Sequence, residues 1–215
     1  MQGLETVYKA HHKRRGDGFA ILTKERGAFL KRHIGTNKKI LDIGCRDGQL
    51  TSMYAENNLV TGADIDSHAL GIAKEKLGIE IVHADLNGDW PFVSSSYDVV
   101  VACEFLEHVY FPEVIFEKIA KVLKNDGLFV GTIPHAYSLQ SRVKFLLGTK
   151  RGTPLEDPTH INHFKYSDFK KSLEIFFDVN EIQGYVPNRY KWFSKVLPYT
   201  FAHDLMFAVT LKKNI

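Results

Sequence analysis

Short apolar runs rich in branched side chains recur at 40–43, 59–63, 79–83, 97–103 and 128–133. A strand covered on both faces reads as such a continuous run, so each is a candidate for the interior of a sheet. Between them lie 49–56, 67–77 and 112–123, which read as helices. The last is the clearest. Pro112 suits a first turn, Val114, Ile115, Ile119, Val122 and Leu123 make one apolar face, and KNDG closes it at Gly127. Repeated strand-helix-strand units call for a parallel sheet with right-handed crossovers on both faces. Near the carboxyl end, "FFDVNEIQGYV" and "DLMFAVTLKK" alternate enough to add two strands, antiparallel at the sheet edge, after a helix that begins at about Ser167 and is capped by its hydroxyl. The expected fold is therefore α/β, mostly parallel, with helices on both faces and an antiparallel edge strand.

Two regions stand outside this rhythm. Residues 1–37 read as helical material, with Ala20, Ile21, Ala28, Phe29 and Leu30 available for packing, and are expected to form a helical flank or lid on the domain that fills 38–215. From 134 to 166 the chain has Pro, Gly and Thr and little periodicity; so long a connection is more often functional than idle, and it is expected to form a substrate-side insertion.

Composition changes this picture little. At 215 residues, 44% hydrophobic and 25% charged, the chain suits one ordinary globular domain. No apolar run is long enough to span a bilayer, and the first residues have no apolar core of the signal type, so a cytoplasmic location is expected. Two cysteines, Cys45 and Cys103, are too few for a disulfide framework and lack metal-ligand spacing. A net charge of +3 requires no polyanionic partner.

The chemistry gathers at the strand ends. In an open parallel sheet the ligand lies beyond the carboxyl ends of the strands, where the strand order reverses. Asp42, Asp64 and Asp85 fall at or just after the first three strands, about one strand-helix unit apart, so all three are expected on one crevice. Negative charge there argues against pyrophosphate and for a ligand offering hydroxyls, amines or a cation. An acid at the end of the second strand commonly holds ribose hydroxyls, and a nucleoside bearing positive charge fits all three. Gly44 and Gly48 stand as Gly-x-x-x-Gly, with Arg46 where a dinucleotide fingerprint needs its second glycine.

On these residues the chain resembles the class I S-adenosylmethionine-dependent methyltransferases. "ILDIGCRDGQL" is similar to their first motif, and "TGADID", "HADL", "YDVVVACEFLEHV" and "IAKVLKNDGLFVGTIPH" resemble later ones in the right order, covering about 38–134. "CEFLEHV" is similar to the branch that includes the O-methyltransferases of ubiquinone biosynthesis, which also holds enzymes acting on sugars and other small molecules. The resemblance implies a Rossmann-like seven-stranded sheet and S-adenosylmethionine as cofactor. It implies that Asp42, Gly44 and Gly48 surround the methionine part with Cys45 nearby, that Asp64 takes the ribose hydroxyls with Ile65 against adenine, and that Asp85 faces the adenine amine beside Leu86. Glu104 and Phe105 complete the pocket. Arg46 departs from the family's usual glycine.

Methyl transfer to an alcohol or phenol needs a proton acceptor near neutral pKa, and histidine is the natural candidate. His108 after the fourth strand, His135 after the fifth, and His160 and His163 in "DPTHINHF" lie within reach of an acceptor. His160 and His163 are three apart, but no third ligand at diagnostic spacing is visible, so loop hydrogen bonding is favoured and no metal is expected. Tyr185 to Phe193 interleaves basic and aromatic residues, a pattern that can hold nucleic acid but equally covers a small-molecule pocket. The expected function is methyl transfer to an oxygen of a small-molecule acceptor, with RNA or protein methylation, or a catalytically silent cofactor-binding module, as the alternatives. Nucleic acid is not favoured as a partner, and the oligomeric state stays open.

Overall fold

The computed structural model describes residues 2–192, 196–197 and 199–213. Two helices come first, α1 (Gln2–Arg15) and α2 (Thr23–Ile34), followed by β1 (Lys39–Ile43), β2 (Leu59–Asp64), α3 (Ser67–Leu77), β3 (Glu80–His83) and β4 (Tyr97–Cys103). Then come α4 (Pro112–Val122), β5 (Leu123–Pro134), α5 (Leu139–Leu146), α6 (Tyr166–Phe176), β6 (Phe177–Tyr185) and β7 (Asp204–Leu211). The seven strands form one sheet in the order β3-β2-β1-β4-β5-β7-β6. Strands β1 to β5 pair in parallel, and β7 runs antiparallel to both β5 and β6. The Rossmann-like, mostly parallel sheet is the one expected, with its antiparallel pair at the β6 edge.

The central strands are buried on both faces, which explains why their sequences read as unbroken apolar runs. Along β4, Val100 and Ala102 join the core under α4 and α6, whereas Val99 and Val101 join the opposite core under α2 and α3. The first core is dense in aromatic rings. Phe129 and Phe207 stand 4.9 Å apart, and Phe169 packs 5.1 Å from Phe207. Ile115, Phe116 and Ile119 bring the predicted apolar face of α4 onto this layer. Truncating a ring so placed costs about 3–5 kcal/mol.

Three local expectations differ from the structure. Residues 49–56 form no α-helix, only a 3₁₀ turn at Thr51–Met53. Thr51 Oγ1 and Tyr54 hydroxyl both donate to Asp42 Oδ2 at 2.6 Å, which pins the segment to β1, and α2 covers that face instead. Helix α4 stops at Val122, before KNDG, because buried Leu123 already pairs with Tyr97 as the first residue of β5. Ser167 does not cap α6; the helix starts at Tyr166, and the Ser167 hydroxyl donates to Asp168 instead. The 134–166 connection also contains more order than expected. Ser138 caps α5 by accepting from the Ser141 N–H.

The strand order reverses between β1 and β4, so the crevice opens at their carboxyl ends. Helix α1 lies across this crevice rather than in either layer.

Candidate active site

Gly44 follows β1 with φ of 74°, and a Cβ added there would stand 2.7 Å from the Phe105 ring. The glycine is thus required by the close approach of the β4 loop as much as by its backbone conformation. Arg46 takes a left-handed conformation at φ 52°, which glycine would adopt without strain. Its side chain lines the crevice and reaches the segment that follows α1. Nη1 donates to the Phe19 carbonyl at 2.8 Å, and Nη2 reaches the carbonyls of Gly16 and His12 at the end of α1. Its backbone N–H donates to Asp64 Oδ2 at 2.9 Å. The departure from glycine therefore ties the loop to α1 and adds a side chain to the cavity wall.

Asp42, Asp64 and Asp85 line one cavity, together with Gly44, Cys45, Ile65, Leu86, Glu104, Phe105 and His108. The Asp64 carboxylate is aimed by two backbone donors, the second being Asp66 N–H to Oδ1 at 2.8 Å. Each oxygen keeps a lone pair for a further donor such as a ribose hydroxyl. Burial pushes the Asp42 carboxyl up to about 6, against the two hydroxyls that donate to it. Asp85 is half-buried, and its Oδ1 accepts from the N–H and side chain of Asn87. Gly48 packs differently: a Cβ there would meet Leu77 at 2.7 Å, so it holds the turn against α3 and is not part of the cavity wall.

Sequence reasoning missed the cation behind this rim. Arg26 of α2 is 4% exposed and binds Asp204 at the start of β7 through two hydrogen bonds of 2.9 and 3.0 Å. Its Nη2 also stands 2.9 Å from Glu104 Oε2, while Thr132 donates to Glu104 Oε1 at 3.0 Å. Burial works against the guanidinium charge, but the two carboxylates outweigh it and hold its pKa above the ordinary value. The signal in the sequence was slight: an arginine amid the apolar face of a helix, with no partner near in the chain.

A second cavity, about 450 Å³, opens beside the first. Arg15, Ile21 and Glu104 belong to the walls of both. The rest of its wall comes from the 134–166 connection and the start of β7, with His135, Ser138, Gln140, Ser141, His160 and His203. His135 is 2% exposed, and its Nδ1 donates to the Ala202 carbonyl at 2.9 Å, which leaves Nε2 as the acceptor nitrogen. Burial holds its pKa below the ordinary histidine value. Of the four histidines singled out in the sequence, His108 lines the first cavity, His135 and His160 line the second, and His163 lines neither.

Helix α1 bridges the two cavities. His12 pairs with Asp66 at 2.8 Å, Tyr8 donates to the His108 carbonyl at 3.1 Å, and Arg15 reaches Asp157 at 2.6 Å. The aromatic stretch near the carboxyl end is partly tied to the same region. Arg189 lies 4.8 Å over the Tyr190 ring and donates to Gln140, Tyr190 stacks on Phe201, and Phe193 lies outside the described residues.

An acidic rim that gathers the ends of three parallel strands, beside a separate polar chamber, resembles the arrangement that the methyltransferase-like motifs of the sequence imply. Carboxylates suit the ribose hydroxyls and the cationic centres of S-adenosylmethionine, and Leu86, Ile65 and Phe105 add apolar surface to the same cavity. Residues 41–131 match the family described as methyltransferase domain. The chain is 31% identical over 137 residues to a ubiquinone biosynthesis O-methyltransferase of Salmonella paratyphi A, covering 60% of this chain and 54% of that one. It is 34% identical over 115 residues to the mitochondrial enzyme of that name from Schizosaccharomyces pombe, covering 49% and 41%. The chain thus spans about half the length of the curated relatives it matches. Among solved structures, a 1,6-didemethyltoxoflavin-N1-methyltransferase of Burkholderia thailandensis, bound to its substrate and S-adenosylhomocysteine, superposes with a TM-score of 0.70 at 16% identity, covering 97% of this chain and 87% of that one. The [4+2]-cyclase SpnF shares the fold as well, with a TM-score of 0.64 at 18% identity over 91% of this chain and 84% of that one. Fold by itself therefore leaves the reaction open, and the chemistry must come from the site.

Proposed function

We propose that the protein transfers a methyl group from S-adenosylmethionine to a hydroxyl of a small molecule held in the second cavity, with His135 as the proton acceptor. The observation that carries this reading is the shared wall: Glu104, Arg15 and Ile21 separate a nucleoside-type acidic cavity from a chamber that itself contains a neutral, oriented imidazole. A volume of about 450 Å³ lies within the roughly 300–1,000 Å³ usual for small-molecule sites. Glu104, Glu156 and Asp157 on its wall suit a neutral acceptor better than a polyphosphate backbone. The names of the ubiquinone relatives favour oxygen as the acceptor atom.

When bound, S-adenosylmethionine supplies an electrophilic methyl group on a sulfonium with a neutral leaving group. Asp64 and Asp85 orient the nucleoside end, and Asp42 offers negative charge toward the methionine amine. Phe105, Tyr8 and Phe19 shield the cavity from water. Alignment in such a pocket is worth roughly 7–11 kcal/mol, and a positioned base adds about 10²- to 10⁴-fold.

The test is a labelled-methyl assay of the full chain against phenols, catechols, sugars and RNA. Label on a small hydroxyl compound is the expected outcome. Label on RNA alone would overturn the small-molecule reading, and no cofactor binding by calorimetry would overturn the site itself.

A further inference from the structure

The walls of the two cavities differ in chemistry. The first carries the rings of Tyr8, Phe19, Tyr54 and Phe105. Among the described residues, the second has no phenylalanine, tyrosine or tryptophan on its wall, and its apolar side chains are Ile21, Pro134 and Pro154. What it has instead are hydrogen-bonding groups with capacity left over. The Ser138 and Ser141 hydroxyls share one bond at 3.1 Å, which uses one of their two protons. Gln140 accepts from Arg189 through Oε1, so its amide nitrogen keeps two protons to donate. His135 Nε2 adds an acceptor.

The same wall holds a histidine that sequence reasoning did not single out. Strands β5 and β7 pair as far as Pro134 and Asp204, and the ladder continues one step, because the His135 N–H donates to the His203 carbonyl at 3.0 Å. Residues opposite one another in an antiparallel pair project from the same face with Cβ atoms about 4.5–5.5 Å apart, and both imidazoles line the chamber. The His203 ring is half-buried, and among the described residues no hydrogen bond reaches it. Burial, with the nearby cations of Arg189 and Lys144, holds its pKa below the ordinary value, so the ring stands neutral with one donor and one acceptor nitrogen. A polar group drawn partly out of water needs a partner, and here the open side is the chamber.

We infer that the acceptor is a saccharide, and that His203 holds the hydroxyl beside the one whose proton His135 takes. This assignment rests on the proposed methyl transfer. As the acceptor oxygen bonds the methyl carbon, its proton passes to His135 Nε2 and the bonding pair of the broken carbon–sulfur bond stays on sulfur, so the positive charge reappears on the imidazole. Each sugar hydroxyl both donates and accepts, which matches a wall that offers both. A catechol also has neighbouring hydroxyls, but its two ring faces would lie against serine, glutamine and histidine groups and leave their hydrogen bonds unmade. His203 is thus a binding residue for the acceptor, one strand away from the base.

The test follows labelled methyl transfer by the full chain to the methyl glycosides of glucose, galactose, mannose and fucose, with catechol and caffeic acid as the competing class. Label on a glycoside, at a kcat/KM about 100-fold or more above either phenol, is expected, because a site built to bind hydroxyls rejects compounds that leave its polar groups unpaired. Equal or better use of the phenols would overturn the saccharide assignment while upholding transfer to a small hydroxyl compound; label on neither class would sink the proposed function itself. His203→Ala should raise KM for the preferred glycoside about tenfold, the worth of one hydrogen bond, with kcat changed less than about threefold. His203→Gln, which keeps a donor in the place of the ring, should recover part of that loss, and both variants should keep the parent's calorimetric affinity for S-adenosylhomocysteine. The parent should lose about tenfold in kcat/KM on the monodeoxy glycoside that lacks the neighbouring hydroxyl, whereas His203→Ala should treat the two glycosides alike. A deoxy penalty as large in His203→Ala as in the parent would remove His203 from recognition of the acceptor.

Discussion

The two cavities that meet at Glu104 were built by different means. The first takes its polar groups from the ends of consecutive parallel strands, so Asp42, Asp64 and Asp85 arrive on one rim because the sheet has a single direction. The second is assembled from a long connection, α5 and the start of an antiparallel strand, so His135, His160 and His203 come together through loop packing. A periodic scaffold announces where its ligands will fall. A chamber made of loops does not, and there the side chains that matter are recognisable only by what they touch.

The sharpest test of this contrast acts at the junction. Arg26→Ala would leave buried Asp204 and half-buried Glu104 without their cation, and a loss of about 3–5 kcal/mol in chemical denaturation is expected. A loss under ~1 kcal/mol would mean the two cavities do not share this support. Next in size is His135→Ala, which should lower kcat by about 10²- to 10⁴-fold with little change in cofactor affinity. If cofactor affinity falls equally, the two chambers are not separate in function. Asp64→Ala should do the reverse, weakening S-adenosylmethionine binding by roughly 100-fold in calorimetry through loss of charge-assisted hydrogen bonds, each worth about 1.5–3 kcal/mol.

Acidification should separate the chambers further. Burial raises the Asp42 pKa to about 6, so its carboxylate is charged above that value and neutral below it. A cationic ligand prefers the charged form, so affinity should be full near pH 7 and about tenfold weaker by pH 5. A flat profile would take Asp42 out of the recognition of the amine. The smallest effect is expected for Arg46→Gly. It removes the ties to the Gly16 and Phe19 carbonyls but relieves a left-handed backbone, so global stability should change by less than ~1 kcal/mol while amide exchange in α1 quickens. Unchanged exchange would show that His12, Tyr8 and Arg15 hold α1 alone.

Much of this was legible in the linear chain. The apolar runs located all five parallel strands; the central ones are buried on both faces and so have few polar positions to break the pattern, whereas the edge strand β3 is only half-buried. The helix expected at 49–56 failed for a tertiary reason: Asp42 draws Thr51 and Tyr54 down onto β1. The end of α4 moved for another, since Leu123 gains a pairing partner in Tyr97 that its own neighbours cannot reveal. At the site, His160 was noticed beside His163, three positions away, and the structure instead sets it against Glu107 and His108.

Local pattern by itself determined the layer architecture, the acidic rim and the kind of ligand that rim accepts. These depend on short-range periodicity and on the shared direction of neighbouring strands, both of which are written in consecutive residues. Only the tertiary structure decided that Arg26 would neutralise Glu104 and Asp204, that α1 would close over the crevice, and that Glu107 would face two imidazoles. Contacts between residues far apart in the chain depend on how loops and layers pack, and that packing is selected by the whole molecule.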